Sequence, residues 1–385
     1  MTNPANLLFL STYVGMGGGE SIQLNLMRAL DRDRYHVRVL TSKAGAFPDA
    51  AAQANIPTHV IPYRGTTTSF IPSLWARTPL VGKLRTFLDD YGVNLIVTDY
   101  HSLPFIVPAA DSMNIPVVWL CQGWWFPVYP WQRSFFYNRI PQTVTISATI
   151  KRRWLEQYAA MPPERITPII PGVDPSIYRP DIDGTPVRDK LGIGPETPLV
   201  ALVARFQDVK GHEYFLEAAR HILSAIPNAR FAVAGENVFA VSKDEAYKQR
   251  ILHMVESDPL LREHVTYLGF WPGALEVYAA ADVIVCSSLF ESLGMVALES
   301  MAMQRPIVST NVGGPSETIL DGITGYLVPP RDGRIIAERV VPLLRDPALR
   351  QKMGAAGREH VIQNYTATRY AEAFSVIFEQ LLADH

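Results

Sequence analysis

The chain has 385 residues, of which 48% are hydrophobic and 19% are charged, and its formal net charge at pH 7 is −2. This length and composition suffice for two α/β domains, each with its own core, and exclude an intrinsically disordered chain. The near-neutral charge and the lack of a long basic run argue against binding to nucleic acid.

Short apolar segments alternate with helix-period segments through the first half of the chain. This rhythm predicts a parallel sheet covered by helices. The predicted strands of this half are Leu7 to Val14, His36 to Leu40, His59 to Ile61, Asn94 to Thr98, Pro116 to Leu120, Thr143 to Ile146 and Ile166 to Ile170. The segment Pro171 to Pro198 is rich in Pro, Gly and Asp and lacks a sustained period, so we interpret it as the connection between two domains.

The same rhythm restarts after this connection and predicts a second doubly wound domain. Its predicted strands are Leu199 to Ala204, Phe231 to Ala234, Val265 to Leu268, Val283 to Ser287, Pro306 to Ser309 and Tyr326 to Val328. The predicted domains are residues 1–175 and 176–365, followed by a last apolar-periodic helix, Tyr370 to Leu382, within residues 366–385. Open parallel sheets bind ligands beyond the carboxyl ends of their strands, so we expect the site in a cleft between two Rossmann-like domains.

The cysteines and the apolar stretches indicate the compartment. Cys121 and Cys286 are too few for a disulfide framework or a cysteine-based zinc site, so we expect two buried thiols in a reducing compartment. The first apolar stretch runs directly into a glycine-rich loop, which favours a strand over a secretion signal. No apolar stretch reaches the roughly 18 to 20 residues that span a bilayer. We expect a cytoplasmic protein, with contact at the inner face of a membrane left open.

The first candidate motif is the glycine-rich loop Gly15 to Glu20, between the first strand and a helix. Glycines such as Gly17 and Gly18 let backbone N–H groups approach a phosphate, and the helix N-terminus adds partial positive charge. A tight strand-to-helix turn would use the same residues. The spacing of Gly15, Gly17 and Gly18 does not give the G-x-G-x-x-G fingerprint of dinucleotide-binding proteins, which argues against NAD.

The second motif is a loop with two cations after the strand Leu199 to Ala204. Arg205 offers a planar fork of donors for phosphate oxygens, and Lys210 adds a compact positive charge five residues later. Together they predict neutralisation of a diphosphate. The alternative is a pair of solvated surface charges.

The third motif, Ser287 to Ser300, carries two glutamates. Glu291 lies in a strand-to-helix loop, and Glu299 follows on a helix predicted to begin near Gly294. Carboxylates at this spacing suit the recognition of sugar hydroxyls, and the first N–H groups of the helix suit an anion. A glutamate favoured by the helix dipole together with an ordinary helical glutamate is the alternative.

Three weaker features complete the candidates. The turn Asn311 to Glu317 contains Gly313 and Gly314 and either lines a nucleotide pocket or is explained by turn chemistry alone. His101 follows the strand Asn94 to Thr98, where it either binds a hydroxyl or serves a structural role. The segment Trp119 to Tyr137 is rich in aromatic residues and either binds sugar or an apolar aglycone, enters a membrane interface, or packs as core.

Taken together, these motifs resemble retaining glycosyltransferase family 4 over nearly the whole chain. The most specific feature is the spacing of Glu291 and Glu299, and the Asp99-Tyr100-His101 segment is similar to that of glycogen-synthase-type relatives. Further matching features occur in the same order as in the family: the glycine loop, Ile169 to Asp174, Arg205, Lys210-Gly211, Leu268-Gly269-Phe270 and Gly313-Gly314. The resemblance implies a GT-B fold, in which the first domain binds the acceptor, the second binds the nucleotide-sugar donor, and a C-terminal helix crosses back to the first domain.

The resemblance also implies roles for individual residues. Four residues are the implied catalytic groups: His101, Arg205, Lys210 and Glu291. The implied donor site comprises Gly17, Gly18, Arg205, Lys210, Glu291, Ser292, Leu293, Gly294, Met295, Val296 and Glu299, with the diphosphate on the two cations and the ribose on Glu299. The implied acceptor side comprises Tyr100, His101, Trp124 and Trp125.

The implied reaction transfers a hexose with retention of the anomeric configuration, from a UDP-sugar or, as second choice, GDP-mannose, to a hydroxyl of a carbohydrate or glycolipid-like acceptor. We expect no cofactor and no metal ion, because the sequence has no convincing Asp-x-Asp or His-rich ligand set and the cations stabilise the leaving diphosphate. A nucleotide-sugar epimerase of the same fold and a catalytically silent partner protein are the alternatives. Neither explains the paired glutamates and both cations as well as a transferase does.

Overall fold

A computed structural model describes residues 3–65, 69–123, 127–157, 161–237, 242–272 and 274–384. The chain divides into two compact units. Unit 1 comprises Met1–Gly172 and Ala367–His385, and unit 2 comprises Val173–Thr366. The boundaries predicted from the sequence lie within a few residues of these.

Unit 1 contains a seven-stranded parallel sheet. Its strands are β1 (Ala5–Ser11), β2 (Tyr35–Thr41), β3 (Thr58–Val60), β4 (Leu95–Thr98), β5 (Val117–Cys121), β6 (Gln142–Thr145) and β7 (Ile166–Pro168). The helices between them are α1 (Gly18–Ala29), α2 (Ala46–Gln53), α3 (Pro72–Trp75), α4 (Pro79–Asp90), α5 (Leu103–Asp111), α6 (Arg133–Arg139) and α7 (Ala148–Gln157). Central strands such as β4 and β5 are buried along their whole length, as expected where helices cover both faces.

Unit 2 contains a six-stranded parallel sheet. Its strands are β8 (Leu199–Val203), β9 (Arg230–Ala234), β10 (Val265–Gly269), β11 (Val283–Cys286), β12 (Ile307–Thr310) and β13 (Gly325–Val328). Its helices are α8 (Thr185–Leu191), α9 (His212–Ala225), α10 (Ser242–Ser257), α11 (Pro259–His264), α12 (Leu275–Ala280), α13 (Met295–Ala302), α14 (Pro315–Thr318), α15 (Gly333–Arg345) and α16 (Pro347–Asn364). Short 3₁₀ turns occupy Asp208–Lys210 in this unit and Pro130–Gln132 and Pro163–Arg165 in unit 1.

The last helix, α17 (Ala367–Ala383), belongs to unit 1 and packs on α1. The ring of Phe378 on α17 meets the ring of Tyr35 edge-on at 5.8 Å, and both side chains are buried. An ion pair between Arg34 and Glu379 lies beside them. The C-terminal segment therefore completes the core of the unit that contains the N-terminal strands.

The strand order places the carboxyl ends of particular strands side by side. In unit 1 the order is β3-β2-β1-β4-β5-β6-β7, so the direction of winding reverses between β1 and β4. In unit 2 the order is β10-β9-β8-β11-β12-β13, with the reversal between β8 and β11. Crevices at such switch points are where doubly wound sheets bind ligands. Each unit therefore has one such position, set by its topology.

Each strand predicted from the sequence overlaps a strand of the structure, but the prediction for the connection was wrong in one respect. Residues 185–191 within it form α8. Pro186 stands in the first turn, Gly192 ends the helix in the left-handed conformation with φ of 65°, and Val187 is fully buried. A single buried side chain gives no period, so the pattern was too short to predict this helix.

The first strand also ends earlier than predicted, at Ser11 rather than at Val14. The backbone N–H of Thr12 donates a 2.5 Å hydrogen bond to Asp99 Oδ2 instead of continuing the ladder. Both cysteines are buried free thiols, as predicted, and their compartment stays a prediction. Within the described part of the chain, no helix combines the length and the apolar character needed to traverse a membrane.

Candidate functional site

Lys210 and Glu291 come together at the switch point of unit 2. Lys210 ends the 3₁₀ turn that follows β8, and Glu291 lies in the loop that follows β11. The Lys210 Nζ lies 2.6 Å from Glu291 Oε2, and the two side chains are 20% and 13% exposed. Ser288 Oγ donates to the same carboxylate oxygen at 3.1 Å. The structure therefore joins two residues that were predicted as separate parts of a donor site.

Two glycines, Gly313 and Gly314, pack closely against the loop that contains Glu291. A Cβ on Gly313, whose φ is 64°, would lie 1.7 Å from the Glu291 carbonyl oxygen. A Cβ on Gly314 would lie 2.2 Å from the Leu293 Cα, and the Gly314 N–H donates to the Glu291 carbonyl at 3.2 Å. The pair predicted to line a nucleotide pocket therefore serves as the packing surface beneath the Glu291 loop.

The backbone after Glu291 leads into the N-terminus of α13. Gly294 precedes the helix with φ of 79°, a left-handed conformation that favours glycine. The side chains of Leu293 and Met295 are buried, at 2% and 8% exposure. What this stretch offers to a ligand is therefore its backbone N–H groups, together with the partly exposed Ser292 and Val296.

Glu299 lies further along α13 and is half-buried. Its Oε1 accepts a 3.1 Å hydrogen bond from Tyr178, and its Oε2 accepts a 2.5 Å hydrogen bond from Tyr278. Burial raises the pKa of the Glu299 carboxyl, and the two donated hydrogen bonds act against that rise. Neither tyrosine could be predicted from the sequence, because their hydrogen bonds to Glu299 join residues that are 121 and 21 positions apart.

Arg205 lies half-buried where the loop after β8 begins. Its carbonyl accepts a hydrogen bond from the Gln207 N–H at 2.9 Å. Beside it, Gly235 has φ of 143°, and a Cβ there would lie 2.0 Å from the Ala204 carbonyl oxygen. Arg205 and Lys210 therefore leave the same strand end, within the same unit as Glu291 and Glu299.

A polar cluster occupies the switch point of unit 1. Asp99, directly after β4, accepts hydrogen bonds from the backbone N–H of Thr12 at 2.5 Å and of Ser102 at 2.9 Å. The hydroxyls of Thr12 and Ser102 lie 2.8 Å apart, and the Tyr63 hydroxyl lies 2.9 Å from that of Ser102. Burial raises the pKa of Asp99, while these hydrogen bonds and the nearby His101 act against the rise. Asp99 thus ties the loop after β1 to the loop after β4.

His101 is partly exposed beside this cluster. Its ring meets the ring of Tyr13 edge-on at 5.5 Å, and a Cβ on Gly65 would lie 3.2 Å from the His101 Cβ. Gly17 and Gly18 open α1 in the same unit, and a Cβ on Gly18 would meet nothing within 4 Å. These glycines therefore belong to a different unit from the remaining predicted donor residues.

Of the other residues predicted for the acceptor side, the structure describes Tyr100 but not Trp124 or Trp125. Tyr100 is only 2% exposed and packs among aromatic rings, including that of Phe136 stacked at 6.0 Å. This burial is at odds with a direct contact between Tyr100 and an acceptor, and the tyrosine is better explained as core. Trp124 and Trp125 lie outside the described residues.

The aromatic segment Trp119 to Tyr137 divides into core and surface. Trp119 and Phe136 are buried, with exposures of 1% and 0%. Trp131 and Tyr137 are exposed, at 52% and 51%. Trp131 borders a groove of about 700 Å³ that is also lined by α3, α5 and α6. Packing thus explains part of the segment, and the exposed rings need another explanation.

Potential metal ligands are dispersed over the ranges that the structure describes. No three His, Cys, Asp or Glu side chains within these ranges converge on a point where they could hold a metal ion. The charged groups that the structure brings together at the unit 2 switch point are Lys210 and Glu291.

Comparisons with known proteins show the family and the fold of the chain. Residues 16–177 match the family model described as Glycosyltransferase Family 4, and residues 184–360 match Glycosyl transferases group 1. The α-maltose-1-phosphate synthase of Mycolicibacterium smegmatis is 27% identical over 315 residues, which cover 80% of this chain and 77% of that enzyme.

A D-inositol 3-phosphate glycosyltransferase of Segniliparus rotundus is 33% identical over 209 residues, which cover 54% of this chain. The match spans only 45% of that enzyme's own length. Among solved structures, the Anabaena protein HepE in complex with UDP and glucose superposes with a TM-score of 0.80 at 20% identity, covering 97% of this chain and 99% of that one. At this identity the likeness shows a shared fold.

Proposed function

Because the chain belongs to the family 4 glycosyltransferases and has the two-domain GT-B fold, we propose that it transfers a hexose from a nucleoside diphosphate sugar to an acceptor hydroxyl with retention of configuration. It is a glycosyltransferase by family. The donor, the stereochemistry and the groups that carry the reaction are the proposed part.

The observation that carries the proposal is the meeting of Lys210, Glu291 and the α13 N-terminus at one switch point. When the bond to the diphosphate breaks, negative charge grows on the leaving phosphate. Fixed cations and helix N–H groups stabilise that charge without reorganisation. Arg205 and Lys210 bind the diphosphate, and the backbone from Ser292 to Val296 completes the anion site.

In the resting protein, Lys210 is neutralised by Glu291 at 2.6 Å. A diphosphate that enters the site competes with Glu291 for the lysine. Glu291 is then released to accept hydrogen bonds from the hydroxyls of the transferred sugar, as a carboxylate in a polar loop can do. The ion pair therefore keeps both groups in place until the donor binds.

We favour a UDP-sugar as donor, with GDP-mannose as second choice. The support is that HepE, which shares the fold, was solved with UDP and glucose. No metal ion and no cofactor are required in this scheme, because protein cations bind the diphosphate. The family resemblance assigns His101 to the transferred sugar, and in this scheme the leaving phosphate accepts the proton of the acceptor hydroxyl.

The experiment that tests the donor site is thermal unfolding with UDP, GDP, ADP and NAD, each in a separate sample. A ligand at 100 times its Kd adds about 2.7 kcal/mol to the free energy of unfolding. We expect one nucleoside diphosphate to stabilise the protein and the Lys210→Ala variant to lose that effect. Stabilisation by NAD alone would contradict the proposal.

Two alternatives are distinguished by product analysis with the stabilising nucleotide-sugar. An epimerase would change the sugar while it stays attached to the nucleotide, and a silent partner protein would bind the nucleotide without turnover. A transferase releases the nucleoside diphosphate only when an acceptor is supplied or when water replaces it. The anomeric proton coupling of the product then distinguishes retention from inversion.

The acceptor is a carbohydrate or glycolipid, and the exposed face of unit 1 suggests how a lipid-linked one is reached. Trp131 lines the groove and is 52% exposed, and Leu74, which follows the groove residue Ser73 on α3, is 63% exposed. Arg77 and Arg133 are exposed and lie close in sequence to these two residues, whereas the groove acid Asp111 is paired with Arg139. Exposed aromatic, aliphatic and basic side chains suit a bilayer with anionic lipids. Peripheral contact through this face is therefore part of the proposal.

A further inference from the structure

Glu299 is held by two tyrosine hydroxyls that come from different parts of unit 2. Tyr278 projects from α12 and is fully buried, and it donates to Oε2 at 2.5 Å. Tyr178 lies in the segment that precedes α8, is half-buried, and donates to Oε1 at 3.1 Å. Each carboxylate oxygen therefore has one fixed donor, and the orientation of the carboxylate plane is set from two sides.

In this cluster both tyrosine hydroxyls are hydrogen-bond donors, and the Glu299 carboxylate is the acceptor. Burial, and next the charge of Glu299, raise the pKa of both tyrosines, so both hydroxyls stay protonated and donate. An ionised carboxylate has about four acceptor sites on its two oxygens. The tyrosines use one on each oxygen, which leaves one on each for hydroxyl donors from a ligand. Such a carboxylate is preorganised for two neighbouring hydroxyls.

The backbone around Tyr178 is anchored to the same helix that carries Glu299. Arg358 donates to the Tyr178 carbonyl at 2.9 Å and also to the carbonyl of Ala302, the last residue of α13. The Tyr178 N–H donates to the Asp174 carbonyl at 2.9 Å. These contacts fix Tyr178 relative to α13 before any ligand arrives, so its hydroxyl does not need ordering on binding.

We propose that Tyr178 and Tyr278 are positioning residues that hold Glu299 as the acceptor for the ribose 2′- and 3′-hydroxyls of the donor nucleotide. They thereby set the preference of the site for ribonucleotides over 2′-deoxyribonucleotides. The inference rests on the proposed function, because it takes Glu299 as the ribose ligand. It adds two residues that no sequence motif of this chain contains.

The test compares the Kd of UDP with that of 2′-deoxy-UDP for each variant by calorimetry, with GDP and 2′-deoxy-GDP as a second pair. Wild-type protein is expected to bind the ribonucleotide about tenfold more tightly, which corresponds to one hydrogen bond to a charged group. The Tyr178→Phe variant should lower this ratio to about twofold, and Glu299→Gln should do the same. Tyr326→Phe, on β13 in the same unit, is the matched control and should keep the wild-type ratio.

The ratio separates positioning from a general structural role. If Tyr178→Phe weakens both nucleotides equally, or leaves the ratio at its wild-type value, the inference is overturned while the proposed function stands. If wild-type protein binds neither ribonucleotide, the proposed function fails and the inference with it. Because Tyr278 is fully buried, Tyr278→Phe is interpreted only alongside Tyr178→Phe, whose half-buried ring tolerates loss of its hydroxyl with less risk to the fold.

Discussion

At the scale of single residues, the proposed donor site contains charged groups that are already paired. Lys210 is neutralised by Glu291, and Glu299 is hydrogen-bonded by two tyrosines. Pairing matters because a half-buried charge without a partner is costly. The arrangement keeps the charged groups oriented in the resting protein, and the diphosphate then exchanges one partner for another instead of ordering a mobile side chain.

Replacement of Lys210 by alanine tests its role toward the leaving diphosphate. We expect kcat to fall by about 10² to 10³, the range for loss of one preorganised group that stabilises developing charge. Initial rates at saturating donor would measure it. Lys243→Ala is the control, because Lys243 is 73% exposed and pairs with Asp208 in the turn that ends at Lys210. A Lys210→Ala variant that is as active as this control would argue against the assigned role.

A second residue-scale prediction concerns His212, which is fully buried and stacks on Phe206 at 4.5 Å. Burial, and next the charge of Lys210, lower its pKa from 6.5 to about 3. Between pH 6.5 and 3 the unfolded chain therefore binds a proton that the folded chain does not, so stability falls as the pH falls through this window. The slope from this group is about 1.4 kcal/mol per pH unit.

The His212→Leu variant should remove that slope. Denaturant unfolding at pH 4 and pH 6 would give the change in the free energy of unfolding for both proteins. The variant should lose about 2.7 kcal/mol less than the wild type between these two pH values. Tyr247 keeps its acceptor Glu213 in the variant, which limits other effects. Equal losses for the two proteins would show that His212 titrates normally.

At the scale of elements, the glycine turn after β12 packs against the loop after β11. The turn after β12 contains Gly313 and Gly314, and the loop after β11 contains Glu291 and Leu293. Close approach of two backbones removes the space for any Cβ. The position of Glu291 is therefore set by the loops that follow two neighbouring strands. This position requires that residues 313 and 314 have no side chain.

The element-scale prediction is that Gly313→Ala displaces the Glu291 loop. A Cβ at this position would lie 1.7 Å from the Glu291 carbonyl oxygen, in addition to the strain of φ at 64°. We expect a loss of about 1 to 3 kcal/mol in stability and a larger Kd for the nucleotide. Thermal unfolding and calorimetry would measure the two quantities.

Gly322→Ala separates strain from steric contact. Gly322 has φ of 74°, but a Cβ there would meet nothing within 4 Å. This variant should lose stability through backbone strain alone and keep the wild-type Kd for the nucleotide. If both variants bind the nucleotide as the wild type does, the glycine turn does not position Glu291.

At the scale of the whole molecule, the two units share the same sheet architecture. Each unit is a parallel sheet whose winding reverses once, and each reversal gathers polar residues at the carboxyl ends of two strands. In unit 1 these are Asp99, Thr12 and Ser102, and in unit 2 they are Lys210 and Glu291. The chemistry of the second site fits a diphosphate, whereas the first offers hydroxyls and a buried carboxylate.

The whole-molecule prediction concerns the exposed face of unit 1. Leu74→Ser combined with Trp131→Ser should lower binding to vesicles that contain phosphatidylglycerol by about tenfold, because two apolar side chains no longer leave water. Co-sedimentation with vesicles of phosphatidylcholine alone and with added phosphatidylglycerol would measure binding and its dependence on charge. Val376→Ser on α17 is the control, because Val376 is an exposed apolar residue of the same unit. Unchanged binding of the double variant would remove the membrane proposal.

The sequence by itself determined the strands and the positions of the charged motifs at their ends. A strand buried on both faces must be a short apolar run, so β4, β5 and β11 are visible as such in the sequence. Helix α8 was not visible, because it buries one side chain and leaves no period. These are local properties, which neighbouring residues encode directly.

The tertiary structure alone decided which motifs meet. Lys210 and Glu291 are 81 residues apart, and only the adjacency of β8 and β11 brings them together. Tyr178 and Tyr278 carry no motif, and Tyr100 lies in the core although it directly precedes His101. Strand order and side-chain burial are set by packing of the whole core, in which many distant residues compete for the same space. For this reason the charged motifs could be located from the sequence, whereas the residues that contact them could not.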